Sequence, residues 1–241
     1  MRQAINKGND WFQDWANEYD NTLGKVKRHH KLLDLVVNLS KIKKNDHVLD
    51  IGCGTGLLSL KFLEKTDCTI VAIDSSPEML EIFQNKIKKL SLVKEIVCDL
   101  SSAEKMSFAR NRFDVIAATV ALHHVKSKGP VIKKIFHCLK PGGRFALGEI
   151  DLDTSGRPDD PARLVRIMNY LKDEFRLVMK EGGVTAFSRM YDNGKKHILN
   201  NGEYCVGFGQ WKNLCMRTGF RKVEISPVKE FDWFKVLVAT K

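Results

Sequence analysis

The stretch VLDIGCGTGLL, residues 48–58, constrains the fold of this chain more than any other. A short strand-like run carries Asp50 near its end. Gly52, Gly54 and Gly56 then follow at G-x-G-x-G spacing, and a helical pattern starts at Leu57. Glycines let the backbone turn tightly and let a ligand approach without Cβ clashes. Strand, glycine turn and helix together form the setting of a nucleotide-binding loop in an α/β sheet. The dinucleotide fingerprint G-x-G-x-x-G needs a glycine where this chain has Leu57. Asp50 would also repel a pyrophosphate, although it would suit an ammonium group.

The same alternation continues downstream. HVLDI (47–51), TIVAID (69–74), KEIVCD (94–99), FDVIAATV (113–120) and GRFALGEI (143–150) read as strands, nearly continuous in apolar residues as doubly buried parallel strands are. Helical segments separate them. One begins with Ser76 as N-cap and Pro77 at its first position. Another runs through GPVIKKIFHC to a stop at Pro141-Gly142-Gly143. Asp160-Pro161 opens a long helix with Leu164, Ile167, Met168, Leu171, Phe175, Val178 and Met179 on one face, ending at Gly182-Gly183. KVEISPV and FDWFKVLVAT read as a closing antiparallel pair. The expected fold is α/β: a doubly wound, Rossmann-like sheet of seven mostly parallel strands with an antiparallel last strand. Residues 1–44 read as an N-terminal helical lid, 45–151 as the core, 152–207 as a helical cover inserted after the fifth strand, and 208–241 as the last helix and closing strands. All belong to one domain.

Acids end successive strands. Asp74 can accept both hydroxyls of a ribose. Asp99 can accept from the amino group of an adenine. Three such acids around one crevice are far more specific than any one alone.

At these residues the chain resembles a known family. VLDIGCGTG, AIDSSPEML, VCDLSS, FDVIAATVALHHV and LKPGGRFALGEI are similar, in order, to the motif series of class I S-adenosylmethionine-dependent methyltransferases. They resemble most the small-molecule branch that includes the ubiquinone/menaquinone-biosynthesis enzymes. The resemblance implies S-adenosyl-L-methionine as cofactor. It places Gly52, Gly54 and Gly56 around the methionine part, and Asp50 beneath the loop and its amino group. It places Asp74 on the ribose with Ser75 and Met79 beside the adenosine, Asp99 and Leu100 on the adenine, and Thr119 and Val120 on the methionine side. It also makes WFQDWANEYDNT (11–22) a cover. Trp11, Trp15 and Tyr19 recur at helical spacing, with Phe12 beside Trp11. Tyr19 is expected over the sulfonium, within reach of the cofactor carboxylate or the acceptor.

Methyl transfer from a sulfonium needs alignment and exclusion of water, and a base only where the acceptor must lose a proton. Candidate catalytic groups are His123 and His124 after the fourth strand, Glu149 at the end of the fifth, and Tyr19. Asp151 and Asp153 continue the alternation from Glu149, and Tyr204, Phe208 and Trp211 are candidates for the far wall. No His/Cys spacing reads as a metal site.

After the fourth strand the chain reads ATVALHH rather than the N-P-P-Y of enzymes that methylate nucleobase amines. The expected partner is a small-molecule methyl acceptor. The net charge of +11 leaves an RNA-modifying enzyme as the alternative, and a non-catalytic cofactor-binding protein as a further one. The six cysteines form no CxxC and fit a reducing cytoplasm. The apolar runs are too short to span a bilayer. A monomer or a homodimer is expected.

Overall fold

The structure, a computed structural model, describes residues 16–199 and 203–241. The strands are β1 (His47–Ile51), β2 (Thr69–Asp74), β3 (Ile96–Leu100), β4 (Phe113–Thr119), β5 (Leu139–Ile150), β6 (Lys222–Val228) and β7 (Phe231–Thr240). They form one sheet in the order β3-β2-β1-β4-β5-β7-β6. Neighbours from β3 to β5 are parallel. β7 lies antiparallel between β5 and β6. The expected doubly wound sheet is therefore present. The strand order reverses at β1 and β4, which opens a crevice at their carboxyl ends.

The helices are α1 (Lys27–Ser40), α2 (Leu57–Lys65), α3 (Pro77–Lys89), α4 (Lys128–Cys138), α5 (Pro161–Asn193) and α6 (Phe208–Thr218). Their ends follow the local chemistry. Ser76 Oγ accepts from Met79 N at 3.2 Å to start α3, whose last turn carries Lys86, Lys88 and Lys89 at the negative end of the helix dipole. Asp160 caps α5 by accepting from Ala162 N at 3.0 Å. Gly219, at φ 115°, ends α6.

Side chains alternate across the strands, so the sheet feeds two cores. Val48, Ile70 and Ala117 pack with Leu32, Val36, Phe62 and Phe83 on one side. Leu49, Ile51 and Ile116 pack with Ile132, Ile135 and Trp211 on the other. Among the described residues no helix is long and apolar enough to cross a membrane.

Four boundaries or faces differ from the sequence expectation. β3 starts at Ile96, because the preceding residues close a turn in which Ile96 N donates to Leu92 O. α4 stops at Cys138, before Pro141, because fully buried Leu139 already pairs with Phe113 as β5 begins. The long helix does not end at Gly182-Gly183: Gly183 takes φ 71°, ψ −168°, and the chain resumes its helix to Asn193. On that helix Ile167, Leu171 and Val178 are buried, whereas Met168 and Met179 are exposed. The buried stripe instead includes Tyr170 and Glu174, because a buried partner, Arg28, waits there.

Candidate active site

A cavity of about 710 Å³ lies at the crevice, a size suited to a small-molecule ligand. Its floor is the glycine loop between β1 and α2. Gly52, Gly54 and Gly56 all have positive φ (70°, 53° and 88°). A Cβ on Gly56 would come within 2.1 Å of the Phe83 ring, so packing of α2 on α3 demands this glycine. A Cβ on Gly54 would meet nothing within 4 Å, and Gly54 lines the cavity. There the bare backbone faces the space a ligand would fill.

Two acids hold this loop. Asp74 Oδ2 accepts from Gly54 N at 2.8 Å and Oδ1 from Ser76 N at 2.9 Å. A carboxylate has about four lone-pair sites, so Asp74 retains acceptor capacity toward the cavity that it lines. Its burial raises its pKa. Asp50 lies beneath the loop, 1% exposed, and does not reach the cavity wall. Its Oδ2 accepts from Ser59 Oγ at 2.6 Å, while Oδ1 is buried without a hydrogen-bond partner. Burial pushes Asp50 up to about 7. A buried carboxylate oxygen left unpaired favours a cation nearby.

The N-terminal segment reaches the same loop. Residues 16–19 are helical, and Tyr19 lines the cavity. Thr55 Oγ1 in the glycine loop donates to Asp20 Oδ1 at 2.6 Å. Lys86 Nζ donates to Thr55 O at 2.8 Å and also pairs with Asp20. Burial pushes the Tyr19 phenol up to about 12, which keeps its proton available to donate. Its ring stands edge-on to His29 at 6.0 Å, and burial lowers His29 to about 3, so this imidazole is neutral. Trp11, Phe12 and Trp15 lie outside the described residues.

On the opposite rim Thr119 and Val120 line the cavity after β4. Val120 has φ 47°, a strained conformation for a β-branched residue. Buried Glu149 braces the turn that follows. Its Oε1 accepts from Ala121 N at 2.9 Å and His123 N at 3.3 Å, and its Oε2 lies 3.0 Å from His123 Nδ1. Burial opposes the ionised form of both partners. Their mutual attraction outweighs it, raising His123 and lowering Glu149.

The candidate catalytic groups thus divide. Tyr19 and His124 line the cavity, while His123 and Glu149 stand behind its wall. Ser75 and Met79 line it as expected. Asp99 and Leu100 are exposed and do not line it; the wall after β3 begins at Ser101. Asp151 accepts from Phe208 N at 2.8 Å at the start of α6 and pairs with Lys235 of β7, so it ties distant elements together, whereas Asp153 accepts from Ser155 N at 2.9 Å as a turn residue. The three acids cannot share a strand face, because β5 ends at Ile150. Of the proposed far wall only Tyr204 lines the cavity. Phe208 and Trp211 are buried in the core, where a large apolar side chain gains ~1.5–3 kcal/mol.

Sequence reasoning missed His29, Ser101, Ser102 and Glu203, all in the cavity wall. His29 had a signal: it shares the α1 stripe with Leu33 and Val36. Glu203 had none. It lies next to Tyr204 in an irregular segment, and both have positive φ (38° and 45°). Among the described residues, the inserted helix α5 supplies no cavity side chain. It grips the N-terminal region instead, through Arg28–Glu174 at 2.7 Å and Arg189–Glu18 at 3.0 Å.

The family model described as a methyltransferase domain matches residues 42–218, from just before β1 to the end of α6. The chain belongs to this methyltransferase-domain family. It is 30% identical to a ubiquinone/menaquinone biosynthesis C-methyltransferase of Haemophilus ducreyi, over 73% of this chain and 66% of that protein. It is 27% identical to the 27-O-demethylrifamycin SV methyltransferase of Amycolatopsis mediterranei, over 64% of this chain and 59% of that one. The chain therefore matches slightly less than two thirds of the length of these relatives. Among solved structures, a Haemonchus contortus phosphoethanolamine N-methyltransferase 2 in complex with S-adenosyl-L-methionine superposes with a TM-score of 0.64. It covers 98% of this chain and 61% of that one at 15% identity, a likeness of fold.

Proposed function

We propose that this chain is an S-adenosyl-L-methionine-dependent methyltransferase acting on a small organic acceptor. The observation that carries the reading is the cavity at the β1/β4 switch point, floored by Gly54 and flanked by Asp74. The residues present fit the cofactor. Gly54 leaves its ligand side open, Asp74 has acceptor capacity for a ribose diol, and Asp50 offers a buried, unpaired oxygen near the place of an ammonium. When bound, the cofactor supplies a methyl group already activated by its sulfonium.

The chain's own residues then bind, orient and exclude water. Gly52, Gly54 and Gly56 receive the methionine part over Asp50, with Thr119 and Val120 on its other side. Asp74 holds the ribose, and Ser75 and Met79 flank the adenosine. The resemblance assigns the adenine to Asp99 and Leu100, but both lie outside the cavity wall, so the adenine end falls to Ser101 and Ser102, which line it. Tyr19, tied down through Asp20, covers the reacting side and keeps a hydroxyl proton to donate. His124 faces the acceptor space, while Glu149 acts as a positioning residue through Ala121 and His123. Activity toward a metabolite fits both the size of the cavity and the named relatives, a quinone-biosynthesis and a rifamycin methyltransferase. All six cysteines are free, which suits a reducing cytoplasm.

Calorimetry with S-adenosyl-L-methionine and with NAD tests the cofactor. Binding of the first alone is expected, and tight NAD binding without it overturns the reading. A metabolite extract incubated with methyl-labelled cofactor then identifies the acceptor.

A further inference from the structure

The acceptor side of the cavity holds a cluster that methyl transfer itself does not require. His123, His124 and Glu203 each offer one ligand atom, and all three atoms lie within 4.8 Å of one another. Glu203 is 8% exposed. Among the described residues its only ion-pair partner is His123, with Oε2 at 3.6 Å from Nε2. That separation is too long for a hydrogen bond. It is close to the spacing of about 3.3 Å between two ligands that each stand 2.0–2.1 Å from one tetrahedral ion.

We propose that His123, His124 and Glu203 form a divalent-cation site in the cavity wall, with Glu149 fixing His123 as a ligand. The arrangement behind His123 supports this. Its Nδ1 faces Glu149 Oε2 at 3.0 Å, which holds one proton on that side; a cation arriving at Nε2 displaces the other proton to solvent and takes the lone pair that points toward Glu203. Carboxylate–histidine–metal relays use this geometry to set the tautomer and aim the ring. Glu149 is itself fixed by Ala121 N and His123 N, so the relay is rigid.

Charge points the same way. Glu149 and Glu203 are two buried carboxylates facing one imidazole. Lys128, also buried, turns its ammonium to Val125 O at 2.7 Å. A divalent ion balances the two acids while His123 stays neutral. The backbone reinforces the case: Glu203 and Tyr204 are consecutive non-glycine residues at positive φ, and this strained turn carries Glu203 into the wall. His124 is exposed and lines the cavity, and completes the set from that side.

Two imidazoles and one carboxylate suit zinc, cobalt or ferrous iron rather than magnesium. His124 and Glu203 line the cavity, so a remaining coordination position would open toward it. The site would therefore take a d-block cation and, in that position, an oxygen or sulfur atom of the acceptor. This last step rests on the methyltransferase reading; cation binding does not.

The full chain, stripped with chelator, is titrated with Co²⁺ and followed by its visible ligand-field absorption. The expected result is one equivalent bound, displaced by Zn²⁺ and not by an equal concentration of Mg²⁺. Glu203→Gln and His124→Gln should each weaken Co²⁺ binding at least 10-fold. His124 is exposed, so that variant keeps the fold, which circular dichroism checks. Absence of stoichiometric binding, or unchanged affinity in His124→Gln, overturns the proposal. Calorimetry with S-adenosyl-L-methionine on the same stripped sample judges the methyltransferase reading separately.

Discussion

Asp74 and Asp50 carry opposite risks although both are loop-bracing acids. Asp74 lines the cavity, so on the proposed reading Asp74→Ala should weaken S-adenosyl-L-methionine binding without unfolding the chain. Charge-assisted hydrogen bonds to the ribose are worth ~1.5–3 kcal/mol each, which sets a loss of at least about 10-fold in Kd. Calorimetry on a folded variant checks this, and an unchanged Kd would remove Asp74 from the site. Asp50 instead acts through its proton. Its folded pKa stands at about 7 against an ordinary 3.8. Between those values the folded chain holds a proton that the unfolded chain has lost, so the Asp50 contribution to stability falls as pH rises through that window. Asp50→Asn abolishes it. Urea midpoints of the cofactor-free proteins, measured from about pH 4 to 7, should decline less in the variant than in the parent. Parallel curves would show that Asp50 is not the group responsible. Glu149 is a third case. Glu149→Ala leaves the His123 ring and the N–H groups of Ala121 and His123 without their acceptor. Breaking such a buried pair costs about 3–5 kcal/mol. A loss below about 1 kcal/mol in chemical denaturation would fall to the level of an exposed pair and contradict the bracing role.

Among the elements, the N-terminal segment is tied at two levels. Asp20 holds Thr55 of the glycine loop, and Arg28 of α1 is buried against Glu174 of α5 while lying over the Phe234 ring at 4.2 Å. The second tie anchors the helix, and the first lets the cover sense the loop. Removing residues 1–20 should therefore leave the sheet folded and weaken cofactor binding. Asp20→Ala should give part of the same effect. Its bonds are partly exposed, so ~0.5–1 kcal/mol, or a few-fold in Kd, is the expected size. Equal affinity of the truncated and full chains would show that the cover has no part in binding. The kink at Gly183 has a related consequence. It redirects α5 so that Ala186 and Met190 are buried beyond it, and the helix braces the cover rather than walling the cavity.

For the whole molecule, part of the basic charge is already matched. Lys27 and Lys31 pair with Glu230, and Lys44, Lys61, Lys86, Lys140, Lys222 and Lys235 each pair with an acid of their own. A lysine held by a carboxylate is a poorer partner for a phosphate backbone than a free one. Small-ligand linkage should dominate instead. S-adenosyl-L-methionine at about 100 times its Kd adds ~2.7 kcal/mol to the folded state. For a chain of this size that corresponds to a rise in Tm of roughly 5–10 °C. A thermal melt with the cofactor should show it, and NAD should not reproduce it.

Strand ends, caps and the glycine loop were legible from the sequence because their causes are local. β1, β2, β6 and β7 occupy the residues their patterns marked, and Ser76 and Asp160 cap where their chemistry says. The positions of Asp74 and of the cavity followed from strand–turn–helix order alone. Tertiary structure decided what depends on distant partners. It set Glu149 behind the wall rather than in it, because backbone N–H groups and His123 converge there. It sent Phe208 and Trp211 to the core, where area removed from water outweighs a place at the cavity. It brought Glu203 beside His123 from a segment with no periodicity, through a turn held at positive φ. Periodicity and spacing encode what a residue's neighbours in sequence require. A side chain whose role is set by a partner far along the chain leaves no such trace.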